Sequence, residues 1–500
     1  MARYIRHGWL PADEDPDPYV PRLIRQDPRL HARPVMTLHN TVTNCSLWKF
    51  KDNSVQIVGN KSEDQAIAEK YFKMRLTALL QTLLLISSVR GIATDFVDKA
   101  IQLMEETPLL DTHIDLPQII RSLHRKPLDA IPLLNGSFPG HVDIPRMREG
   151  RLGGAFWTVW APCYDVVGED PGADFNTPTS HVRDALEMLD IIQNMIARHP
   201  DDFQYARTSA EVWDAFNAGK IASLIGMEGT HVLGNSLGAL RIFAQLGVRY
   251  LTLTHTCHSA FASSCGPGTP MDVVHEGDGL SDLGKELIKE LNRVGIMVDL
   301  AHTTVATMRQ AIELSEAPVV WTHAGARALW DHPRNVPDEI LKMIGDGPGQ
   351  KDGVIQSIFF PAFLGPHPGV NVSHVANHIE HIAGIVGKSR VGIASDYDGM
   401  YLVPEGLEDA SKYPNIVAEL LSRGWTDDEV RGALGGNLMR IMDKVDEVSE
   451  KLKDRLPSSA IWEKRTDLPS LKWGGGGQHV YWPTDVKAKV EKMYLRHDEL

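Results

Sequence analysis

Histidine and acidic side chains recur near the ends of short apolar segments between residues 109 and 399. The set consists of His113, Asp115, Glu228, His255, His302, His323 and Asp396. Imidazole and carboxylate groups are ligands that Zn²⁺ accepts, and a catalytic site keeps an open position for water. Three imidazoles and two carboxylates of this set are enough to hold two divalent ions about 3.5–4 Å apart, which would activate water at neutral pH.

The pair His113-x-Asp115 supplies two neighbouring candidate ligands for one metal ion. Residues two apart in a strand point to the same side, so both side chains could reach one ion. The pattern alone is weak, because two polar residues with ordinary hydrogen-bond partners would look the same. We expect His302 and His323 to hold a second ion, since they end adjacent predicted strands, and Glu228 to bridge both ions.

Three further residues suit roles around such a site. Asp396 could carry a proton from the attacking water to a leaving amine, with Asp398 as its rival and a turn residue or third metal ligand as the alternatives. His255 could donate to a developing oxyanion or could simply be packed. Arg334 could hold a carboxylate with its planar donor fork or could lie on the surface.

Eight short apolar segments must position these side chains. They span residues 109–115, 153–162, 222–229, 248–255, 295–302, 317–323, 353–360 and 390–399. Gly, Pro or polar residues bound each of them, and amphipathic helical stretches lie between them, which favours parallel strands covered by helices. We therefore predict an α/β fold, a (β/α)8 TIM barrel of the metal-dependent hydrolase type, whose strands end at one common mouth.

Composition excludes several other classes of protein. Of the 500 residues, 43% are hydrophobic and 23% charged, which is ordinary for a globular protein. A net charge of −14 argues against nucleic acid as a partner. An uninterrupted apolar run of 18 residues is absent, which excludes a protein with several membrane spans. Four cysteines are too few for a disulfide scaffold.

The two ends of the chain carry features of their own. Residues 1–73 are rich in Pro and charge and are expected to be a disordered or wrongly assigned extension. Residues 74–93 hold the apolar segment 76–89 behind basic residues, which is typical of a secretory signal peptide starting at Met74; a core helix or a membrane anchor are the alternatives. We expect the barrel over residues 94–450.

An irregular tail is expected over residues 451–500. It ends in His-Asp-Glu-Leu, the sequence that the ER retrieval receptor binds, and it lacks the apolar stretch of a GPI-anchor signal. Glycosylation sequons at Asn135 and Asn371 fit the same route. We therefore expect the protein in the ER lumen or secreted, with attachment to a membrane through residues 76–89 as the alternative.

Several segments resemble the zinc-dependent membrane (renal) dipeptidase family, peptidase family M19. They are DTHIDLP, GMEGTH, RYLTLTHTC, GLSDLGKELIKELNRVGIMVDLAHTTVATM, APVVWTHAGARAL, PRNVPDEIL, SDYDG and EGLEDASKYPNIVAELLSRGW. They occur in the family's order from about Thr107 to Val445. The resemblance implies a (β/α)8 barrel with two zinc ions per subunit and hydrolysis of dipeptides by a zinc-bound hydroxide, with a D-residue tolerated at the C-terminal position.

Matched motif by motif, the resemblance implies a ligand set. His113 and Asp115 would bind one zinc ion, His302 and His323 would bind the other, and Glu228 would bridge the two.

The resemblance also implies the remaining roles. Asp396 would transfer the proton, and His255 and Arg334 would contact the substrate. Cys163 and Cys257 would form a disulfide. The family's dimer-forming cysteine is not evident in the tail, so any homodimer would be non-covalent.

The sequence therefore predicts a zinc metallodipeptidase. Two alternatives are a related barrel hydrolase acting on cyclic amides or N-acyl amino acids, and a non-catalytic luminal binding protein. Three departures from the family pattern bear on substrate preference more than on the chemistry. They are His258 in place of Asn, Ser395 in place of Gly, and Thr322-His323-Ala324-Gly325 in place of Ser-His-Ser-Ser.

Overall fold

The computed structural model describes residues 49–51, 54–56, 95–123, 131–163, 180–266, 278–464 and 484–495. The chain divides into two units, Met1–Leu84 and Leu85–Leu500. In the first unit, strands Lys49–Lys51 and Ser54–Gln56 pair antiparallel. The predicted signal-like segment 74–93 and the terminal His-Asp-Glu-Leu lie outside the described residues, as does most of the extension 1–73.

Eight parallel strands form the centre of the second unit. They are β1 (Leu109–Ile114), β2 (Leu152–Val159), β3 (Ile221–Glu228), β4 (Val248–Thr252), β5 (Met297–Asp299), β6 (Val319–Ala324), β7 (Gly353–Ser357) and β8 (Val391–Ile393). Each strand pairs in parallel with the next one in chain order. The predicted (β/α)8 barrel is therefore confirmed.

Backbone hydrogen bonds from β1 to the segment after β8 close the barrel. The amide of Asp396 donates to the carbonyl of His113 at 3.1 Å, and the amide of Asp115 donates to the carbonyl of Tyr397 at 2.9 Å. These two bonds join the first and last strands at the carboxyl end of the barrel, so the two acidic side chains lie at the same rim.

Helices cover the outside of the strands. The α-helices span 95–106, Leu116–Ser122, Ile144–Glu149, His181–Arg198, Ser209–Asn217, Leu237–Gln245, Asp282–Val294, Val305–Leu314, Asp338–Leu341, Val372–Val386, Tyr413–Ser422, Asp427–Arg431, Asn437–Lys451 and Thr484–Leu495. In the helix Asp282–Val294 the buried residues include Leu283, Leu287 and Leu291, at helical spacing, and Ser281 caps its start. Among the described helices, none is long and apolar enough to cross a membrane.

Burial explains why the sequences of the strands are nearly continuous apolar segments. Every residue of β1 to β8 is buried, because side chains alternate between the barrel interior and the surrounding helices. Most of the polar residues in these strands lie toward the carboxyl ends, and Ser223 and Arg249, near the starts of β3 and β4, are exceptions.

The strands are shorter than the predicted segments in ways that matter for the site. Strands β4, β5 and β8 end at Thr252, Asp299 and Ile393, so the prediction that His255, His302 and Asp396 end strands is wrong. All three lie in the loops that follow, and a left-handed backbone at two of them (described below) is incompatible with a strand. The sequence also did not predict the short strand Phe203–Tyr205, which pairs with β3 outside the barrel.

Candidate active site

The carboxylate of Glu228 is the centre of the site. This residue ends β3 and is buried. Its Oε1 lies 3.0 Å from His302 Nε2 and 3.4 Å from His323 Nε2. Its Oε2 lies 3.7 Å from the Nε2 atoms of both His113 and His255. The carboxylate of Glu228 thus lies within 3.7 Å of the Nε2 atoms of four imidazoles, and it belongs to two of the groups of side chains that could hold a metal ion.

A second group of candidate ligands surrounds His113. Its Nε2 lies 3.7 Å from Asp115 Oδ2 and 3.8 Å from Asp396 Oδ1. All three side chains offer a ligand atom within 4.8 Å of one another. Among the described residues, His113 Nε2 and Asp115 Oδ1 are buried and have no hydrogen-bond partner. Unpartnered buried nitrogen and oxygen atoms that converge in this way fit a divalent cation, since burying them without any partner is costly.

Hydrogen bonds on the far side of two imidazole rings fix their orientation. His113 Nδ1 is 3.0 Å from the hydroxyl of Tyr250, and His323 Nδ1 is 3.0 Å from Thr322 Oγ1. Thr322 Oγ1 in turn donates to Asp299 Oδ2 at 2.6 Å. Because each Nδ1 is engaged, each Nε2 is left to face the centre, as metal-binding histidines require. Sequence reasoning missed Tyr250, Thr322 and Asp299. Tyrosine and threonine are common in strands, whereas an aspartate inside an apolar strand is unusual and was a signal that could have been used.

Three residues at the mouth adopt the left-handed backbone conformation. The φ angles are 63° for His302, 65° for Asp396 and 68° for Asp398. Residues other than Gly rarely take this conformation, and where they do the strain often accompanies function. The loops after β5 and β8 both contain such residues.

The carboxylates of Asp396 and Asp398, the two candidates for the proton-transfer role, have different contacts. The carboxylate of Asp398 is buried and accepts a hydrogen bond from the amide of His141, whose Nδ1 is 3.3 Å away. Asp396 instead points toward His113. The loop approaches the site closely at Gly399, where a Cβ atom would lie 2.1 Å from Asp115 Oδ2. Asp398 is therefore engaged with His141, whereas Asp396 is the one of the two that lies among the candidate metal ligands.

Burial sets the charge state of the metal-free site. It lowers the pKa of His113 to about 3 and the pKa values of His302 and His323 well below the ordinary value, so the imidazoles are neutral and able to bind metal. Burial, together with the neighbouring carboxylates, raises the pKa of Glu228 well above its ordinary value, and the pKa of Asp115 is raised in the same way. Closely spaced carboxylates of this kind need additional positive charge nearby to be ionised.

Arg334 supplies one buried positive charge beside the cluster. It follows β6, is 3% exposed, and donates from Nη2 to the carbonyl of His323 at 3.2 Å. In the described part of the chain, its Nε and Nη1 atoms are buried without a hydrogen-bond partner. Each of these atoms can pair with the second N–H of Nη2, so the guanidinium is suited to a bidentate anion such as a carboxylate.

A disulfide joins two loops at the mouth. Cys163 and Cys257 are bonded across 94 positions of sequence. They follow β2 and β4, whose loops also carry Trp160 and His255 with ring centroids 5.4 Å apart. Cys265 is a free thiol.

The two predicted glycosylation sites differ in environment. Asn135 lies in an exposed turn, where its Oδ1 accepts from the amide of Ser137. Asn371 is half-buried and caps the helix Val372–Val386, accepting from the amide of Ser373.

The fold and the site together define a metal-dependent hydrolase of the barrel type. A sequence model of the membrane dipeptidase family (peptidase family M19) matches residues 97–456, and the chain belongs to this family, as predicted. The chain is 38% identical to dipeptidase verJ of Clonostachys rogersoniana over 371 residues, which cover 74% of this chain and 92% of that protein. The protein is accordingly a hydrolase of the dipeptidase type.

Solved structures show the same fold. A metallopeptidase from Rhodobacter sphaeroides, solved with a phosphinate mimic of the dipeptide L-Ala-D-Ala, is 27% identical, with a TM-score of 0.59 over 68% of this chain and 99% of that one. The probable dipeptidase PvdM from Pseudomonas aeruginosa is 22% identical, with a TM-score of 0.60 over 71% of this chain and 99% of that one. At that identity the second likeness concerns the fold alone.

Proposed function

We propose that this protein is a binuclear zinc dipeptidase that cleaves the peptide bond of dipeptides. The observation that carries the proposal is the position of Glu228, whose buried carboxylate lies within 3.7 Å of the Nε2 atoms of four imidazoles beside a buried arginine with unused donors. His113 and Asp115 would hold one ion and His302 and His323 the other. When bound, the two ions would supply water activated at neutral pH and positive charge for the developing oxyanion.

Arg334 would bind the free carboxylate of the substrate. Its Nη2 atom has a second N–H besides the one that donates to His323, and this N–H together with that of Nε or Nη1 can donate to two carboxylate oxygens, which also satisfies a buried cation. This requirement selects substrates with a carboxylate close to the scissile bond, as a dipeptide has. His255 Nε2 lies 3.7 Å from Glu228 Oε2, and this imidazole would donate to the carbonyl oxygen of the scissile bond.

Asp396 would move the proton. Its carboxylate lies 3.8 Å from His113 Nε2, and burial raises its pKa to about 7 in the metal-free site, against a lowering effect of Arg334. A carboxylate beside the metal ligands can accept a proton from the attacking water and return it to the leaving amine. Since the related metallopeptidase from Rhodobacter sphaeroides binds a mimic of L-Ala-D-Ala, we extend the proposal to substrates with a D-residue at the C-terminal position.

The test combines metal analysis with product release from L-Ala-L-Ala and L-Ala-D-Ala. We expect two zinc ions per chain and release of free alanine that EDTA abolishes and zinc restores. His302→Ala should lose zinc and activity. The matched control His381→Ala, on a partly exposed histidine paired with Asp338, should keep both. Equal activity of the metal-free chain, or faster turnover of N-acyl amino acids or cyclic amides, would contradict the proposal.

A further inference from the structure

An aromatic ring lies directly against the buried guanidinium of Arg334. The guanidinium carbon is 5.3 Å from the ring centroid of Phe363, which is partly buried in the loop after β7. His332 covers another part of the same ring, with centroids 4.5 Å apart. The polar group that would hold a carboxylate is therefore bordered by an apolar surface.

Two more rings extend this surface toward solvent. Phe360 packs on Phe363 with centroids 4.8 Å apart, and Tyr401 packs on Phe360 at 5.3 Å, both edge to face. Tyr401 follows Asp396 in the loop after β8 and is 77% exposed. We name Phe363, Phe360 and Tyr401 the aromatic wall. It runs from the buried guanidinium to the outer edge of the barrel mouth.

The aromatic wall is held in place before any ligand arrives. The indole Nε1 of Trp330 donates to the carbonyl of Ala362 at 3.1 Å, which fixes the backbone beside Phe363. Edge-to-face contacts are a favourable geometry for aromatic pairs. A ligand that packs against rings already held in this way loses little free energy to ordering them.

We propose that the aromatic wall is the subsite for the side chain of the substrate's C-terminal residue, and that the enzyme prefers dipeptides with a large apolar or aromatic residue there. This inference rests on the proposed function, because Arg334 must hold the substrate carboxylate. The C-terminal side chain is attached to the carbon that bears this carboxylate. A carboxylate bound by Arg334 therefore places that side chain beside Phe363, with Phe360 and Tyr401 farther along its path.

The experiment compares kcat/KM of the zinc-loaded full chain for three dipeptides. L-Ala-L-Ala gives the reference, L-Ala-L-Phe places a ring at the C-terminal position, and L-Phe-L-Ala places it at the N-terminal position. We expect L-Ala-L-Phe to exceed L-Ala-L-Ala by about tenfold, the size of effect that partial burial of a phenyl group against aromatic rings supplies. L-Phe-L-Ala should show no such gain.

Variants then locate the preference on the aromatic wall. Tyr401→Ala should lower the ratio of kcat/KM for L-Ala-L-Phe over L-Ala-L-Ala by about three- to tenfold, and Tyr401→Phe should retain the ratio. Ile242→Ala removes an apolar side chain that is 52% exposed on the helix Leu237–Gln245, and should change neither rate. Tyr401 is mostly exposed, so its truncation does not threaten the core.

The outcomes separate this inference from the proposed function. Hydrolysis of L-Ala-L-Ala without a preference for L-Ala-L-Phe, or an unchanged ratio in Tyr401→Ala, would overturn the aromatic subsite and leave the dipeptidase proposal standing. Failure to hydrolyse any of the three dipeptides with zinc bound would overturn both.

Discussion

Replacing Asp396 by Asn should abolish turnover and, at the same time, stabilise the metal-free fold at alkaline pH. The amide has nearly the shape of the carboxyl group but cannot accept the proton. Asn also tolerates the left-handed backbone that this position requires, since φ is 65°. The two expected effects therefore arise from the loss of one negative charge rather than from a change in the loop.

The size of the stability effect follows from the pKa of Asp396. Burial raises it to about 7, from an ordinary value of 3.8. At 1.36 kcal/mol per pKa unit, this difference corresponds to about 4 kcal/mol in the free energy of unfolding once the group is ionised in both states. Because the pKa is higher in the folded state, ionisation of Asp396 destabilises the fold. This loss in the free energy of unfolding is below about 1 kcal/mol near pH 4, grows as pH rises toward 7, and is constant above it.

The assay is urea unfolding of the metal-free chain at pH 4.5 and pH 8, for the natural protein and for Asp396→Asn. We expect the variant to gain several kcal/mol at pH 8 and little at pH 4.5, and the gain to shrink when zinc supplies compensating positive charge. Asp331→Asn, which alters an exposed carboxylate, serves as the control. An equal difference at both pH values, or a less stable variant at pH 8, would refute the reasoning about the buried carboxylate. Retention of full turnover would remove Asp396 from the proton transfer.

Two further variants test the neighbours of the metal site. Arg334→Ala should lower kcat/KM for L-Ala-L-Ala about ten- to a hundredfold, which is the contribution expected of hydrogen bonds to a charged group. For a dipeptide amide, which lacks the carboxylate, kcat/KM should fall much less. An equal loss for both substrates would show that Arg334 does not bind the carboxylate. Tyr250→Phe removes the hydroxyl that lies 3.0 Å from His113 Nδ1, and it should weaken zinc binding about ten- to a hundredfold in a chelator competition. The control Tyr205→Phe should leave zinc affinity unchanged. Unchanged affinity in Tyr250→Phe would show that the hydroxyl does not orient the imidazole ring.

The fold could be predicted from sequence because its hydrophobic pattern is simple. Buried parallel strands are nearly continuous apolar runs, and amphipathic helices separate them, so the order of elements in the barrel was readable. The strand ends were not readable, because apolar residues continue past the point where the hydrogen-bond ladder stops. The loop positions of His302 and Asp396 depend on backbone angles that hydropathy does not encode.

The candidate site was only partly predictable for a related reason. Titratable residues near the ends of apolar segments stand out, and the structure brings all seven of them to one mouth. Tyr250 and Thr322 do not stand out, since tyrosine and threonine are common in strands. Their contacts with the histidines depend on the register between neighbouring strands, which a single sequence does not specify. The aromatic wall likewise assembles residues from two separate loops.

The bond between Cys163 and Cys257 makes a covalent ring that contains β3, β4 and the central glutamate. The disulfide keeps residues 163 and 257 together even in the unfolded chain. In the chain-entropy account, closing a loop of about a hundred residues in this way adds roughly 4–5 kcal/mol to the free energy of unfolding. Both cysteines are buried, so dithiothreitol added to protect the free thiol of Cys265 would open that ring mainly in chains that have unfolded, and would prevent its re-formation. Purification without reductant, after expression in an oxidising host compartment, is therefore the preparation that this architecture calls for.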